Sequence, residues 1–134
     1  MSGYMLDTNI ISDIIRNPFG PAARRIEEVG PRDICTSIVV AAELRYGCAK
    51  KGSARLLEKV EGVLGTIPVL PLDVPVDAGY GAIRAELEMA GQIIGLNDLL
   101  IAAHAQALNL TLVTDNTREF SRIRGLDVEN WLAR

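Results

Sequence analysis

A short apolar run that stops at an acid constrains the fold of this chain more than any other feature. Tyr4–Leu6 has the composition of a buried strand, and Asp7 follows it directly. Isoleucines then recur at helical spacing over residues 10–15, and Thr8 or Asn9 is available as the helix N-cap. In an open parallel sheet, ligands bind beyond the carboxyl ends of the strands. Asp7 therefore either caps the first helix or faces a crevice that holds a cation or a phosphate.

Short apolar segments and helices alternate along the rest of the chain. The pattern predicts extended segments at 34–36, 67–72 and 110–114, helices at 22–29, 39–50, 54–64, 76–90, 98–108 and 117–123, and a closing segment at 125–131. Strands that alternate with helices favour an α/β fold with a parallel sheet. Because the chain has 134 residues, we expect one domain over residues 1–134.

Composition excludes several classes of protein. The chain is 49% hydrophobic and 23% charged, which argues for a packed core and against disorder. A net charge of -3 means that any nucleic acid must be held by local basic patches. The two cysteines have no CxxC spacing, and no apolar run reaches the length of a membrane span. These features predict a cytoplasmic protein with reduced cysteines and no membrane contact.

Four acids occupy comparable places in the predicted elements. Asp7 and Asp115 each follow a strand, Asp98 opens a helix that is apolar all round, and Glu43 lies in an otherwise apolar helical stretch. For each acid alone, a structural role as a helix cap or an ion-pair partner is at least as good an explanation as a functional role. For the four together that explanation is poor, because only Asp115 has a basic residue, Arg118, one helical turn away.

Converging carboxylates would need a counter-charge. Two carboxylates about 6 Å apart repel by roughly 3 kcal/mol at an effective dielectric constant of about 20. A divalent cation offsets this repulsion, and a ligand set of oxygens suits Mg²⁺ or Mn²⁺ rather than zinc. Such a site favours phosphate chemistry. Other chemistries lack a signature: the sequence has no P-loop, GxGxxG or GxSxG pattern, and its one histidine, His104, lies off the helical face of Asp98.

The acids lie in four short motifs that are informative together. These are Met5–Asn9 (MLDTN), Ala42–Gly47 (AELRYG), Ile94–Ala105 (IGLNDLLIAAHA) and Val113–Phe120 (VTDNTREF). In this order they resemble the PIN-domain ribonucleases, and most of all the VapC toxins of VapBC toxin–antitoxin systems. The resemblance implies a three-layer α/β/α sandwich around a central parallel β-sheet. It also implies cleavage of RNA, often tRNA, with Mg²⁺ or Mn²⁺, and neutralisation by a cognate VapB antitoxin.

The resemblance also assigns roles to residues. It carries a metal-ligand role onto Asp7 and Asp98, and it places Glu43 at the second acid of the family's site. In many relatives the fourth acid lies where this chain has Asn116, so either Asp115 takes over or three acids act with an amide. Apart from the resemblance, we expect Thr8, Asn9 and Thr114 to donate hydrogen bonds to the ligands. We also expect Arg118 to contact RNA. Arg118 has an alternative role as a clamp that pairs with Asp115.

Two other functions are weighed against a ribonuclease. A doubly wound phospho-receiver also clusters acids around Mg²⁺, but it needs a lysine after a late strand, and residues 113–120 contain none. A PIN scaffold without catalysis is disfavoured because Asp7, Glu43 and Asp98 are all present. The apolar faces of the helices at 98–108 and 54–64 predict a homodimer. We expect the antitoxin to insert a segment across each site of that dimer.

Overall fold

Residues 3–132, the part of the chain that the computed structural model describes, contain one parallel sheet of five short strands. The strands are β1 (Tyr4–Leu6), β2 (Ile34–Ser37), β3 (Val69–Leu70), β4 (Thr111–Val113) and β5 (Val128–Glu129). Their order in the sheet is β3-β2-β1-β4-β5, and every neighbouring pair is parallel. β1 and β4 form the centre, where Met5, Leu6, Leu112 and Val113 are fully buried. Apolar strands of this kind are typical of a parallel sheet that is covered on both faces.

Helices fill the connections between the strands. They are α1 (Thr8–Arg16), α2 (Pro21–Val29), α3 (Ile38–Lys51), α4 (Ala54–Leu64), α5 (Val76–Met89), α6 (Leu96–Ala107) and α7 (Thr117–Phe120). Parallel neighbours need crossover connections of this length, which is why the chain alternates as it does. The predicted α/β/α architecture around a parallel sheet is confirmed. Within residues 3–132, no helix is both long enough and apolar enough to cross a membrane.

Several predicted boundaries differ from the structure. The N-cap of α1 is Asp7 itself, and not Thr8 or Asn9. The helix predicted at 98–108 begins at Leu96, and the helix predicted at 117–123 ends at Phe120. The closing segment contains β5, which is too short to have a strand pattern of its own. Residues 1–2 and 133–134 of the expected single domain lie outside the described range.

The protein itself covers most of the apolar surface of α6. Leu99, Ile101 and Ala102 on three sides of this helix are buried, and α5 packs along its length. The exposed apolar side chains of α6 and its C-cap lie at the two ends, at Leu96 and Leu108. This helix therefore gives little support for a second copy of the chain that would cover it. The homodimer stays a prediction.

The strand order places a crevice at the centre of the sheet. From β1, the strand order continues on one side through β2 and β3 and on the other side through β4 and β5. Such a reversal creates a crevice beyond the carboxyl ends of the two central strands, where α/β proteins bind ligands. A phospho-receiver has the different order 2-1-3-4-5. Asp7, after β1, and Thr114, after β4, lie on the two sides of this crevice.

Candidate active site

Asp7 is held at the crevice by three hydrogen-bond donors. Its Oδ1 accepts from the backbone N–H of Thr8 at 2.8 Å. Its Oδ2 accepts from the hydroxyl of Thr114 at 2.8 Å and from the amide of Asn9 at 3.3 Å. The side chain is almost entirely buried, with 4% exposure. One oxygen of Asp7 thus caps α1, while the other lies between the ends of β1 and β4. The two interpretations of Asp7 are therefore compatible, and its contact with a cation or a phosphate stays a prediction.

Thr114 connects the two sides of the crevice. It is fully buried, and its hydroxyl oxygen accepts from the Asn9 amide at 3.3 Å and from the backbone N–H of Asn116 at 3.0 Å. Asn9 also accepts from the backbone N–H of Asp115 at 3.0 Å. The loop after β4 is therefore tied to the start of α1. The structure brings the predicted donors Asn9 and Thr114 together around Asp7.

Glu43 is positioned by donors from two other helices. Its Oε1 accepts from the hydroxyl of Thr8 at 2.5 Å, and its Oε2 accepts from the amide of Asn97 at 3.4 Å. Thr8 lies at the start of α1, and Asn97 lies in the first turn of α6. These contacts hold the Glu43 carboxylate beside both Asp7 and the N-terminus of α6. Neither Asn97 nor Asp98 caps α6, whose N-cap is Gly95.

The ionisation of these acids indicates that they converge. Burial raises the pKa of Asp98 to about 6, and repulsion from Asp7, Glu119 and Glu43 contributes to the increase. Burial also raises the pKa of Asp7, against the lowering effect of its hydrogen bonds, and Glu43 adds to the increase. A carboxylate whose charged form is repelled by its neighbours is typical of a site that awaits a cation. We call Asp7, Glu43, Asp98 and Glu119 the acidic cluster.

Glu119 was not among the residues proposed from the sequence. It lies in α7, and it repels Asp98 more strongly than Glu43 does. Asp115 is exposed, and its recorded contact with the site is made by its backbone N–H and not by its carboxylate. Asn116 is half-buried and is the N-cap residue of α7. The one sequence signal for Glu119 is its place in the VTDNTREF motif, one helical turn after Asp115.

The acidic cluster has no protein counter-charge among residues 3–132. None of the recorded ion pairs includes any of its four carboxylates. Arg45, which is close in sequence to Glu43, pairs with Glu61 instead. Arg118 is exposed, and no ion pair within this range joins it to Asp115. The site therefore repels anions until positive charge is brought to it.

The donor chemistry of the cluster fits a hard divalent cation. All four side chains offer carboxylate oxygens, which Mg²⁺ and Mn²⁺ prefer. However, no three His, Cys, Asp or Glu side chains within the described range are close enough to enclose an ion by themselves. Mg²⁺ usually keeps several waters and takes only one or two carboxylates from the protein. The cluster thus fits an ion whose shell is completed by water or phosphate.

Two further features of the structure bear on the site. A cleft of about 260 Å³ opens from Thr8 and Glu43 between α1, α3 and α4, with an apolar lining and with Arg16 and Lys51 among its residues. His104, by contrast, is buried away from the cluster, and its Nδ1 lies 2.9 Å from the hydroxyl of Ser37. Burial lowers the pKa of His104, so this residue is a neutral core histidine.

A larger cleft, of about 530 Å³, lies between α2 and the segment 129–131. It contains none of the four acids of the cluster. Its charged side chains balance, because Arg24 and Arg25 face Glu28 and Glu129. We therefore place the chemistry at the carboxyl ends of β1 and β4 and not in this larger cleft.

Comparison with known proteins gives one consistent answer. A family model described as the PIN domain matches residues 4–126. The chain is 40% identical over 134 residues to Ribonuclease VapC2 of Haemophilus influenzae, covering 98% of this chain and 100% of that protein. It is 39% identical over 132 residues to the tRNA(fMet)-specific endonuclease VapC of Shigella flexneri, covering 98% and 99%.

Solved structures agree with the sequence relatives. The structure of VapBC2 from Rickettsia felis bound to a DNA fragment from their promoter contains a chain with a TM-score of 0.88 and 40% identity. The match covers 98% of this chain and 99% of that chain. VapBC from Salmonella typhimurium, also solved with DNA, matches with a TM-score of 0.89 and 37% identity over 98% and 99% of the two chains. The phospho-receiver alternative is not favoured by these matches or by the strand order.

Proposed function

The chain belongs to the PIN-domain family, and from this premise we propose that its acidic cluster is the active site of a metal-dependent RNA hydrolase. The protein is an endoribonuclease of the VapC type and the toxin component of a toxin–antitoxin pair. The observation that carries the site assignment is the convergence of Asp7, Glu43, Asp98 and Glu119 without a protein counter-charge. We assign Mg²⁺ as the natural cofactor, with Mn²⁺ as a substitute.

We assign different tasks to the four acids. Asp7 and Asp98 hold the ion, because both are raised in pKa by burial and the charge of Asp7 disfavours the ionised form of Asp98. Glu43 completes the site from α3. Glu119 is supported as the fourth acid by its repulsion of Asp98, whereas Asp115 stays the alternative expected from the sequence. When bound, the divalent ion offsets the charge of the phosphodiester and acidifies water in the site.

The surrounding residues orient these acids. Thr114 and Asn9 fix the Oδ2 of Asp7, and Thr8 fixes the Oε1 of Glu43. Donors of this kind lock the rotamer of a ligand before the ion arrives, and their loss typically weakens metal affinity or activity by about 10- to 100-fold. Asn97 holds the second oxygen of Glu43 less closely, at 3.4 Å.

The substrate and partners follow from the relatives. We propose that the RNA cleaved is a tRNA, as the name of the Shigella flexneri relative states for that enzyme. The antitoxin is of the VapB type, and we propose that one of its segments lies across the acidic cluster and into the cleft of about 260 Å³. We retain the homodimer and the cytoplasm as proposals. Free, buried Cys35 and Cys48 are consistent with a reducing compartment.

The test is RNA cleavage by the purified protein with Mg²⁺, with Mn²⁺ and with EDTA. We expect cleavage with either metal and none with EDTA. Asp7→Asn should abolish cleavage and leave the melting temperature equal or higher, because it removes one of several repelling charges and keeps an N-cap residue. Mapping of the new 5′ ends in total RNA identifies the target. An Asp7→Asn protein that cuts at the native rate would refute the assignment of the site.

A further inference from the structure

An exposed aromatic side chain stands one helical turn beyond Glu43. Tyr46 lies on α3 and is 66% exposed. Its hydroxyl takes part in none of the hydrogen bonds recorded within residues 3–132. Side chains on a helix lean toward its N-terminus, so the ring covers surface on the side of Glu43 and not on the far side. The acidic cluster therefore has an exposed aromatic side chain next to it.

A cation accompanies this ring. The ammonium of Lys50 lies 5.9 Å from the centroid of the Tyr46 ring. Within the described part of the chain, Lys50 takes part in no ion pair, whereas Arg45 on the same helix is paired with Glu61. Lys50 is therefore available to an incoming anion. It lies close to the helical face of Glu43, because seven residues make nearly two full turns of a helix.

The space beside the ring is open. A Cβ added at Gly47 would meet no atom within 4 Å. Gly47 and Glu43 line the same cleft, which continues toward Lys51. A planar group that lies against Tyr46 therefore meets no side chain at the next position of α3. A chain that passes through the acidic cluster has room to continue along this face.

We propose that Tyr46 is the stacking platform for an unpaired base next to the scissile phosphate, and that Lys50 contacts the phosphate of that nucleotide. This inference rests on the proposed ribonuclease function and adds a substrate contact to it. Single-stranded RNA is commonly recognised by bases that stack on aromatic side chains. Such stacking suits a chain with a net charge of -3, because it supplies affinity without phosphate contacts.

The chain offers a matched control for an exposed aromatic. Phe19 is 91% exposed, but it follows the opposite end of α1 from Asp7. Nine helical residues separate these ends, which is roughly 14 Å. Phe19→Ala removes a similar exposed ring without touching the surface beside Glu43. Both substitutions are on the surface, so neither is expected to disturb the core.

The experiment measures binding of a short single-stranded RNA and of its duplex to protein that carries Asp7→Asn, so that no cleavage occurs. We expect Tyr46→Ala to weaken single-strand binding by about 5- to 100-fold, with duplex binding and the salt slope unchanged. Tyr46→Phe keeps the ring and should bind normally, whereas Tyr46→Leu should behave like Tyr46→Ala.

Lys50→Ala should lower the salt slope of RNA binding by about one unit. Phe19→Ala should have no effect.

A fluorescent base analogue reports stacking directly. We expect the fluorescence of 2-aminopurine next to the cleavage position to be quenched on binding to protein that has Tyr46 or carries Tyr46→Phe. We expect no quenching with Tyr46→Leu.

Unchanged RNA binding by Tyr46→Ala would overturn the proposal. A loss of antitoxin affinity or of self-association without any change in RNA binding would also overturn it, since Tyr46 would then belong to a protein interface. If the unsubstituted protein cleaves no RNA with Mg²⁺, the proposed function fails first and separately.

Discussion

The two halves of the acidic cluster are held in different ways. Asp7 and Glu43 are anchored by five hydrogen bonds from α1, α6 and the loop after β4. Among residues 3–132, no hydrogen bond is recorded to the carboxylates of Asp98 and Glu119. Burial and repulsion nevertheless raise the pKa of Asp98 to about 6. One half is preorganised by hydrogen bonds from the protein, and the other half lacks them.

The contrast separates the interactions that stabilise the fold from those that are candidates for function. The donors around Asp7 offset part of the cost of burying its charge, and its Oδ1 caps α1. Asp98 receives no such compensation from the protein. A charge that folding leaves uncompensated in a crevice is a candidate for function. Substitutions in each half should therefore have different consequences. Apart from the loss of a proposed metal ligand, Asp7 or Asp98, the largest effect is expected at Glu119.

The first prediction asks which residue is the fourth acid. We expect Glu119→Gln to lower the rate of RNA cleavage by about 10- to 100-fold, because Glu119 lies near enough to Asp98 to raise its pKa. Asp115→Asn serves as the matched control and should change the rate less than about threefold. The measurement is kcat/KM on one RNA under saturating Mg²⁺. The reverse ranking would reinstate Asp115, as the sequence suggested, and would remove Glu119 from the site.

The second prediction removes one anchor from the preorganised half. Thr114→Val deletes the hydroxyl that donates to Asp7 and keeps the side-chain shape. We expect metal affinity or activity to fall by about 10-fold or more, because the ligand loses its orientation. Thr114→Ser retains the hydroxyl and should restore most of the loss. Equal activity of the Val and Ser variants would show that this anchor has no role in catalysis.

The third prediction concerns pH in the absence of metal. The pKa of Asp98 in the folded protein is raised from its ordinary value of 3.8 to about 6. The folded state therefore binds more protons than the unfolded state in this interval, and stability falls as pH rises through it. Asp98→Asn should match the unsubstituted protein near pH 4 and melt at a higher temperature at pH 7. Melting curves at several pH values test this. A constant difference at all pH values would contradict it.

The smallest effect is expected at the exposed arginines after the cluster. Arg118→Ala should weaken RNA binding, lower the salt slope by about one unit and leave the melting temperature unchanged. Arg122 is the control, because its guanidinium donates to the carbonyl of Ile93 at 3.2 Å. Arg122→Ala should lower the melting temperature instead. An unchanged salt slope in Arg118→Ala would end its assignment as an RNA contact.

The sequence predicted the anchored half of the site more completely than the other half. Asp7 ends an apolar strand and Glu43 interrupts an apolar helical stretch, so the pattern alone was enough to place both acids. The start of α6 was placed two residues too late because Leu96 and Asn97 are exposed and carry no periodic signal. β5 was missed because two residues, Val128 and Glu129, form no pattern.

Glu119 shows why the remainder could not be predicted. It stands in a polar segment, where a glutamate is usually a solvated surface charge. Only the tertiary structure, which brings Glu119 near enough to Asp98 to raise its pKa, reveals this repulsion. The capping role of Asp7 was likewise ambiguous, because Thr8 and Asn9 are equally good caps by residue type. For Glu119 the deciding fact is its distance from Asp98, which lies far away in the chain. For Asp7 it is the local rotamer of the side chain.

Metal-dependent stability tests the central claim, that a divalent cation completes the acidic cluster. A ligand that binds only the folded state raises the melting temperature with its concentration. We predict that Mg²⁺ and Mn²⁺ raise the melting temperature of the unsubstituted protein and of Asp115→Asn, and have no effect on Asp98→Asn. Equal stabilisation of Asp98→Asn, or no stabilisation of the unsubstituted protein at any metal concentration, would show that no divalent cation binds at the acidic cluster.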